Sequence, residues 1–411
     1  MMTNPKVIIL GGRFGGLQTA YELKRYLKGK IDIKLIERNR YIYFRPALPH
    51  VAIGLENPDD LRIDISEALS AKGIEYIQGT VTRIDPAKNT VEYNKEGAGP
   101  SKEKYDYLVI ALGSHLATEL ITGFEKFGSS VCEADLALSM WNKLNAFKGG
   151  NITLGSAKFI QDNKNRPTNN PDAYAPLLES ACEGPVYEMS IMLYDYFKAK
   201  GMLDKVKMTV YSPGKYLSDL SETNRATVAA MYKGMDIDIV DNFVLKEVTE
   251  KEVISEDGKR LPSDLSFILP PYMGQQMVKD AGLGDEAGFV LTDTNMKSVK
   301  YDNVYAVGDI NALIVPKMAA LAVKSARIAA ANIANNLGNK VPIEVYDPKI
   351  VCIADDPYGK YAVAIVDSTA YGGNISEAVP SAANHLKKSL FTRYFLWSKG
   401  DLAMDKYLTS W

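Results

Sequence analysis

Six residues, Gly11-Gly-Arg-Phe-Gly-Gly16, limit what this chain can fold into more than any other stretch. They follow the apolar run Lys6–Leu10, which reads as a buried strand, and precede Leu17–Leu27, whose apolar residues recur at helical spacing. A second strand, Asp32–Ile36, ends on Glu37, 21 residues after Gly16. Strand, glycine turn and helix in that order make a phosphate cradle. Glycine permits the tight turn, bare backbone N–H groups face a pyrophosphate, and the helix N-terminus favours negative charge. A carboxylate ending the second strand can accept hydrogen bonds from ribose hydroxyls. Gly11, Gly12, Arg13, Phe14, Gly15, Gly16 and Glu37 are therefore candidate dinucleotide contacts. Arg13 stands where the usual pattern has its middle glycine, so its side chain must turn away from the pyrophosphate or contact it.

Two distant segments point to FAD rather than NAD. Tyr105–Ser114 is an apolar strand closing in a turn at Gly113, and Asn303–Asp309 is another, with Gly308 and Asp309 at its end. A carboxylate at Asp309 can hold a ribityl chain, and an alanine-rich helix over 318–334 follows it. Between these segments the chain resembles itself: Lys72–Ile84 is echoed by Lys233–Leu245, each followed by a hairpin pattern and a buried strand, Tyr107–Ala111 and Leu265–Leu269. The expected fold is α/β, with two dinucleotide-binding (Rossmann-like) units, the second inserted in the first. Residues 1–115 and 296–345 form the FAD-binding unit, 116–295 the inserted unit, and 346–411 a C-terminal quinone and membrane region with an amphipathic helical anchor. The second unit lacks a phosphate turn. After the strand Asn151–Gly155, the stretch 156–184 is irregular and rich in Asn and Pro, and a helix starts only near Pro185. A net charge of -2 gives no electrostatic footprint for nucleic acid.

The three cysteines are Cys132, Cys182 and Cys352, with no CxxC pair among them. That spacing argues against a zinc site, and no metal is expected. Cys182 stands at the helix start, in Ala181-Cys-Glu-Gly-Pro185, where the positive end of the helix dipole favours thiolate. The plainer alternative is a thiol capping a loop. The tail, 380–411, interleaves Lys387, Lys388, Arg393, Lys399 and Lys406 with Phe391, Tyr394, Phe395, Trp397, Tyr407 and Trp411. Leu386, Leu390, Tyr394 and Trp397 share a helical face, whereas Phe391 and Phe395 fall outside it. A helix apolar on several sides among basic residues suits an anchor in a membrane lipid surface. Docking on the core, or on a second copy in a homo-oligomer, is the alternative. No secretory leader pattern precedes Lys6 and no apolar run reaches about 18 residues. The expectation is a peripheral, monotopic protein of the cell membrane without a signal peptide.

Together these features resemble the sulfide:quinone oxidoreductase family, its archaeal members in particular, over essentially the whole chain. The most specific stretches are Tyr43–His50, Cys182–Glu188, Tyr301–Asp309 with Val315-Pro-Lys317, Ile350-Val-Cys352 and the aromatic tail. The resemblance implies FAD, oxidation of sulfide to polysulfide or sulfur, reduction of a quinone and monotopic membrane attachment. It implies Cys182 and Cys352 as a redox pair on one face of the flavin. Cys132 matches a third cysteine that some members link covalently to the ring. It also assigns cofactor contacts to Arg45, Val81, Gly113, Gly308, Asp309 and Lys317, with quinone on the opposite flavin face near Lys317 and the tail aromatics. Hydrosulfide would attack a Cys182–Cys352 disulfide or a sulfur-bridged form of it, leaving a persulfide on Cys182 and a thiolate on Cys352, which passes two electrons to the flavin. Glu183 and Glu188 are candidates for proton handling. Three alternatives stay open. A type II NADH:quinone oxidoreductase would need a phosphate turn after Leu154. The flavoprotein subunit of a flavocytochrome sulfide dehydrogenase implies export and a cytochrome partner. A flavin-containing membrane redox sensor would carry structural cysteines and no turnover.

Overall fold

The computed structural model describes residues 4–161, 177–356, 358 and 360–404. β1 (Lys6–Leu10) has no polar interruption after Lys6, and Val7 to Leu10 are fully buried, as a strand covered on both faces requires. It leads through the glycine turn into α1 (Phe14–Leu27) and on to β2 (Asp32–Glu37), which pairs parallel to β1. β3 (Glu75–Asp85) extends the sheet parallel to β2 and folds back antiparallel through β4 (Thr90–Lys95) and β5 (Gly99–Lys104). β6 (Tyr107–Ile110) pairs on the other side of β1.

A second, four-stranded parallel sheet follows in the chain. After α2 (Ala134–Ala146), β7 (Gly150–Ser156) is linked by α3 (Gly184–Ala199) to β8 (Val206–Tyr211), and α4 (Glu222–Gly234) leads to β9 (Ile237–Val240). An antiparallel ribbon spans 245–262, and β10 (Leu265–Leu269) then pairs on the far side of β7. The order β10-β7-β8-β9 repeats β6-β1-β2-β3, so the likeness of Lys72–Ile84 to Lys233–Leu245 falls on strands at matching places, β3 and β9. The two passages between the sheets run side by side, His115–Leu116 pairing antiparallel with Tyr272–Met273.

β11 (Val304–Ala306) then returns to pair parallel with β6 at the edge of the first sheet. α5 (Ala319–Asn336) packs against α1, its buried Ala326, Ala329 and Ala330 leaving room for the close approach. The chain finishes in an antiparallel sheet of β12 (Ile350–Asp356), β13 (Tyr361–Asp367) and β14 (Ser376–Ser381), on which α6 (Ala382–Trp397) lies.

The structure fixes which side of α6 faces the core. Phe391 and Phe395 turn inward, their rings 5.7 and 4.7 Å from that of Phe44, and Phe395 also meets Phe14 at 5.2 Å. Tyr394 is half-buried and donates a hydrogen bond to the Asp401 carbonyl. Lys388 is not an interfacial cation: it is buried, ion-paired to Glu188 and bonded to the Ile353 carbonyl at 3.2 Å. Leu386, Leu390 and Trp397 do face outward, with 58, 44 and 80% of their surface exposed. Lys406, Tyr407 and Trp411 lie outside the described residues. Among the described residues, no helix is long and apolar enough to cross a membrane.

Candidate active site

The glycine turn is tight enough that side chains are excluded at specific atoms. A Cβ on Gly16 would sit 1.9 Å from the Gly11 carbonyl oxygen, and one on Gly11, whose φ is +102°, would sit 2.2 Å from that of Ala111. Gly15 lets the start of α1 approach Val307, just past β11. Glu37 reaches the turn from the end of β2, one carboxylate oxygen accepting the Gly12 N–H at 2.9 Å and the other the Asn39 N–H at 2.9 Å. Around Gly113, at φ +67°, a Cβ would meet no protein atom within 4 Å, so this turn opens onto free space. Val81 lies in the middle of β3, its side chain buried in the core under the first sheet. Its backbone sits where the β3–β4 register shifts.

Arg13 turns away from the glycine turn. Both it and Arg45 ion-pair with Glu133, the residue that precedes α2. Burial raises the Glu133 carboxyl above its ordinary range, against the opposing pull of Arg45 and Arg38. Beside it, Cys132 is buried, accepts a hydrogen bond from Ser130 Oγ at 3.3 Å and meets the Tyr272 hydroxyl at 3.5 Å. Asp309 follows β11, next to Gly308 at φ +72°. Burial pushes its carboxyl up while Arg45 and Lys317 pull it down. Lys317 is buried above the rings of Phe289 and Phe159, at 4.9 and 5.5 Å, and donates to the Asn311 carbonyl at 2.7 Å. Burial lowers this ammonium to about 8, with Asp309 and Asp285 opposing. Asp309, Lys317, Met318 and Tyr346 line one cavity, and among the described residues none of the tail aromatics joins them.

Cys182 and Cys352 come from different parts of the fold and meet. Cys182 precedes α3, whose cap is Glu183, and Cys352 lies on β12 opposite Ile365. A Cβ on Gly184 would be 3.1 Å from the Cys352 sulfur and 3.6 Å from that of Cys182, so the glycine leaves space for both. The two thiols are unbonded and line one cavity. The thiolate expected from the helix dipole does not prevail. Burial, then the neighbouring Cys352, raises Cys182 well above the usual thiol range, against one Gly184 N–H that favours the anion. Burial, then Glu188, pushes Cys352 up to about 12. Both thiols therefore resist ionisation where they stand.

Glu183 accepts from Ser156 Oγ at 2.9 Å and from the Leu217 N–H at 2.5 Å, and burial lifts it to about 7. Leu217 holds a left-handed φ of +54°, a strained backbone for a leucine at the wall of the cysteine cavity. Glu188 is spent on Lys388. Sequence reading missed Glu133, Asp219 of the cysteine cavity, and Asp355, which bonds His50 at 2.9 Å and His385 at 2.7 Å. Two of the chain's three histidines on one aspartate leave no local pattern.

Residues 5–171 match the pyridine nucleotide-disulphide oxidoreductase family. The sulfide-quinone reductase of Aquifex aeolicus is 28% identical over 95% of this chain and 90% of its own length. Its crystal structure superposes with a TM-score of 0.84 at 26% identity, covering 97% of this chain and 92% of that one. Over nearly its whole length this chain is similar to sulfide:quinone oxidoreductases. The mitochondrial sulfide:quinone oxidoreductase of Dictyostelium discoideum is 26% identical over 91% of this chain and 80% of its own. Type II NADH:quinone oxidoreductases match more weakly, that of Staphylococcus haemolyticus at 22% identity over 84% of this chain and 87% of its own. Among these homologues, the ones that act on sulfide are the nearer to this chain.

Proposed function

We propose that this protein oxidises sulfide to polysulfide or sulfur and reduces a quinone, using FAD. The observation that carries the reading is the meeting of Cys182 and Cys352 in one cavity around Gly184, at the helix start where an NAD-binding unit would have its phosphate turn. No glycine occurs from Ser156 to Glu183, although residues 162–176 of that stretch lie outside the described residues. The first-sheet cradle fits FAD: its glycines leave no room for side chains, Gly113 opens onto free space, and Asp309 stands between two cations. Gly11 to Gly16 and Glu37 would hold the adenosine diphosphate part, and Asp309 and Lys317 the flavin part. Bound FAD would supply a two-electron acceptor for the thiol pair and a donor to quinone.

Attack by a sulfide sulfur on Cys182 in the bridged pair forms a persulfide there and breaks the bond to Cys352. The Cys352 sulfur leaves with the electron pair that goes on to the cofactor. Cys132, hydrogen-bonded and buried away from this pair, is suited to adjusting or tethering the cofactor at its edge. We keep the division into 1–115, 116–295, 296–345 and 346–411 for its fit to the order of the two sheets along the chain. Membrane docking rests on the outward Leu386, Leu390 and Trp397 of α6, which would let a lipid-borne quinone approach.

The test is anaerobic bleaching of the flavin by sulfide. The intact protein should bleach, whereas Cys352→Ser and Cys182→Ser should bind flavin, keep the fold and fail to bleach. Cys132→Ser should bleach with an altered rate only. Near-normal bleaching in Cys352→Ser sinks the mechanism, and rapid bleaching by stoichiometric NADH would favour the NADH reading instead.

A further inference from the structure

The composition of the cysteine cavity discriminates between the two forms of sulfide present near neutrality. Its apolar walls are Leu217, Leu220, Ile350, Ile365 and Met318. Its ionisable side chains besides the thiols are Tyr187 and the carboxyl groups of Glu183 and Asp219, and among the described residues no lysine, arginine or histidine lines it. The charges felt by the sulfurs agree. Cys182 is acted on by Cys352, Asp219 and Asp309, all of which oppose an anion. Cys352 is acted on by Glu188, Asp219 and one cation, Lys388, and that cation is already paired with Glu188. Asp219 itself is faced by Glu183 and Asp367. An anion entering this space loses its hydration and meets like charge where screening is weak, whereas a neutral molecule does neither.

We propose that the cavity admits sulfide as uncharged hydrogen sulfide and that Asp219 accepts a proton as the sulfur attacks. This rests on the sulfide-oxidising reading above. In the step, the hydrogen sulfide sulfur bonds to the Cys182 sulfur and the Cys182–Cys352 bond breaks with its electron pair on Cys352. One proton passes to the Asp219 carboxylate and the other stays on the persulfide. The entering sulfur is oxidised and Cys352 is reduced, its electron pair then passing to FAD. Burial lifts Asp219 to about 6, so it is a carboxylate at neutral pH yet more basic than an exposed one. Being only half-buried, it can pass the proton on to water between turnovers.

The experiment is stopped-flow bleaching of the FAD-loaded full chain by sulfide, without oxygen, between about pH 5 and pH 9, for the wild type and Asp219→Asn. The wild-type rate per total sulfide should rise as Asp219 ionises near pH 6. Above neutrality it should fall about tenfold per pH unit, as the neutral form disappears. A bell alone is ambiguous, because hydrosulfide with a protonated Asp219 gives the same shape. Asparagine mimics the neutral acid and separates the two. If neutral hydrogen sulfide enters, Asp219→Asn is slower, on the order of 100-fold, loses the rising limb and keeps the falling one. If hydrosulfide enters, Asp219→Asn stays fast and climbs through neutrality to a plateau, which overturns the proposal. A variant with the wild-type profile overturns it as well, since the proton then goes elsewhere. Flavin content and melting temperature confirm that the variant is folded. A wild type that never bleaches with sulfide at any pH marks the failure of the underlying reading, an outcome distinct from both.

Discussion

Glu133 binds Arg13 and Arg45 from across 120 and 88 residues of chain, and the buried Nε of Arg45 has no hydrogen-bond partner among the described residues. Removing the carboxylate leaves a largely enclosed guanidinium without its counter-charge. Glu133→Ala should therefore cost about 1.5–3 kcal/mol, seen as a lower denaturant midpoint at unchanged slope, with Glu133→Gln milder. Asp309→Ala should loosen the cofactor by about 1.5–3 kcal/mol, roughly tenfold or more in Kd, measured by flavin titration of the apoprotein. These two acids differ in how visible they were beforehand. Asp309 was legible because it ends a strand beside a glycine, a local arrangement that serves one purpose. Glu37 and the glycines were legible for the same reason. Glu133 and Asp219 act on groups far away in sequence, and such pairing writes nothing into their own neighbourhoods. The fate of Arg13 was likewise open until its partner was known.

Among the elements, α6 is the one whose reading changed most. A helix apolar on several sides has no phase that sequence can fix, so its inner face was not separable from its outer one. Phe391 and Phe395 proved to be core, and Leu386, Leu390 and Trp397 surface. This changes how the membrane reading should be tested. Deleting 380–411 would remove Phe395 and the end of β14 along with the outer stripe, confusing unfolding with release. Leu386→Gln, Leu390→Gln and Trp397→Gln together should instead abolish co-sedimentation with liposomes while leaving the melting temperature nearly unchanged. Phe395→Ala should do the reverse, costing about 3–5 kcal/mol in stability. Liposome binding that survives the triple change places the anchor elsewhere. The strands were read well by contrast, because long apolar runs between glycine and proline allow little else, and the shared order of the two sheets explains why the chain resembles itself.

For the molecule as a whole, the buried carboxyls set a pH of greatest stability. Burial lifts Glu183 to about 7 and Asp195 and Asp219 to about 6. Their contribution is complete below the ordinary carboxyl range of about 4 and is lost as pH rises through the folded values. Asp355, Asp367 and Asp401 behave oppositely. Burial raises each, but hydrogen bonds from His50, Thr369 and Lys72 lead the effects that bring them out below their ordinary value. Their contribution exists above the carboxyl range and is lost as acid protonates them. Melting temperature should peak near about pH 5 and decline toward pH 8, and a steady rise over that interval would contradict the assignment. The path of the chain also has a bearing on time. β11 returns to the edge of the first sheet, and the segment beyond α6 reaches back to α1 through Arg25 to Asp401 and the Leu402 N–H to Gln18. At a ribosome adding about 5–20 residues per second, the glycine turn waits on the order of tens of seconds for its last strand. During that wait the nascent first sheet has an open edge at β6 and no Asp309, so the cofactor has nothing complete to bind. Flavin uptake thus waits for β11 and Asp309, and ribosome-bound fragments ending before Val304 should retain none.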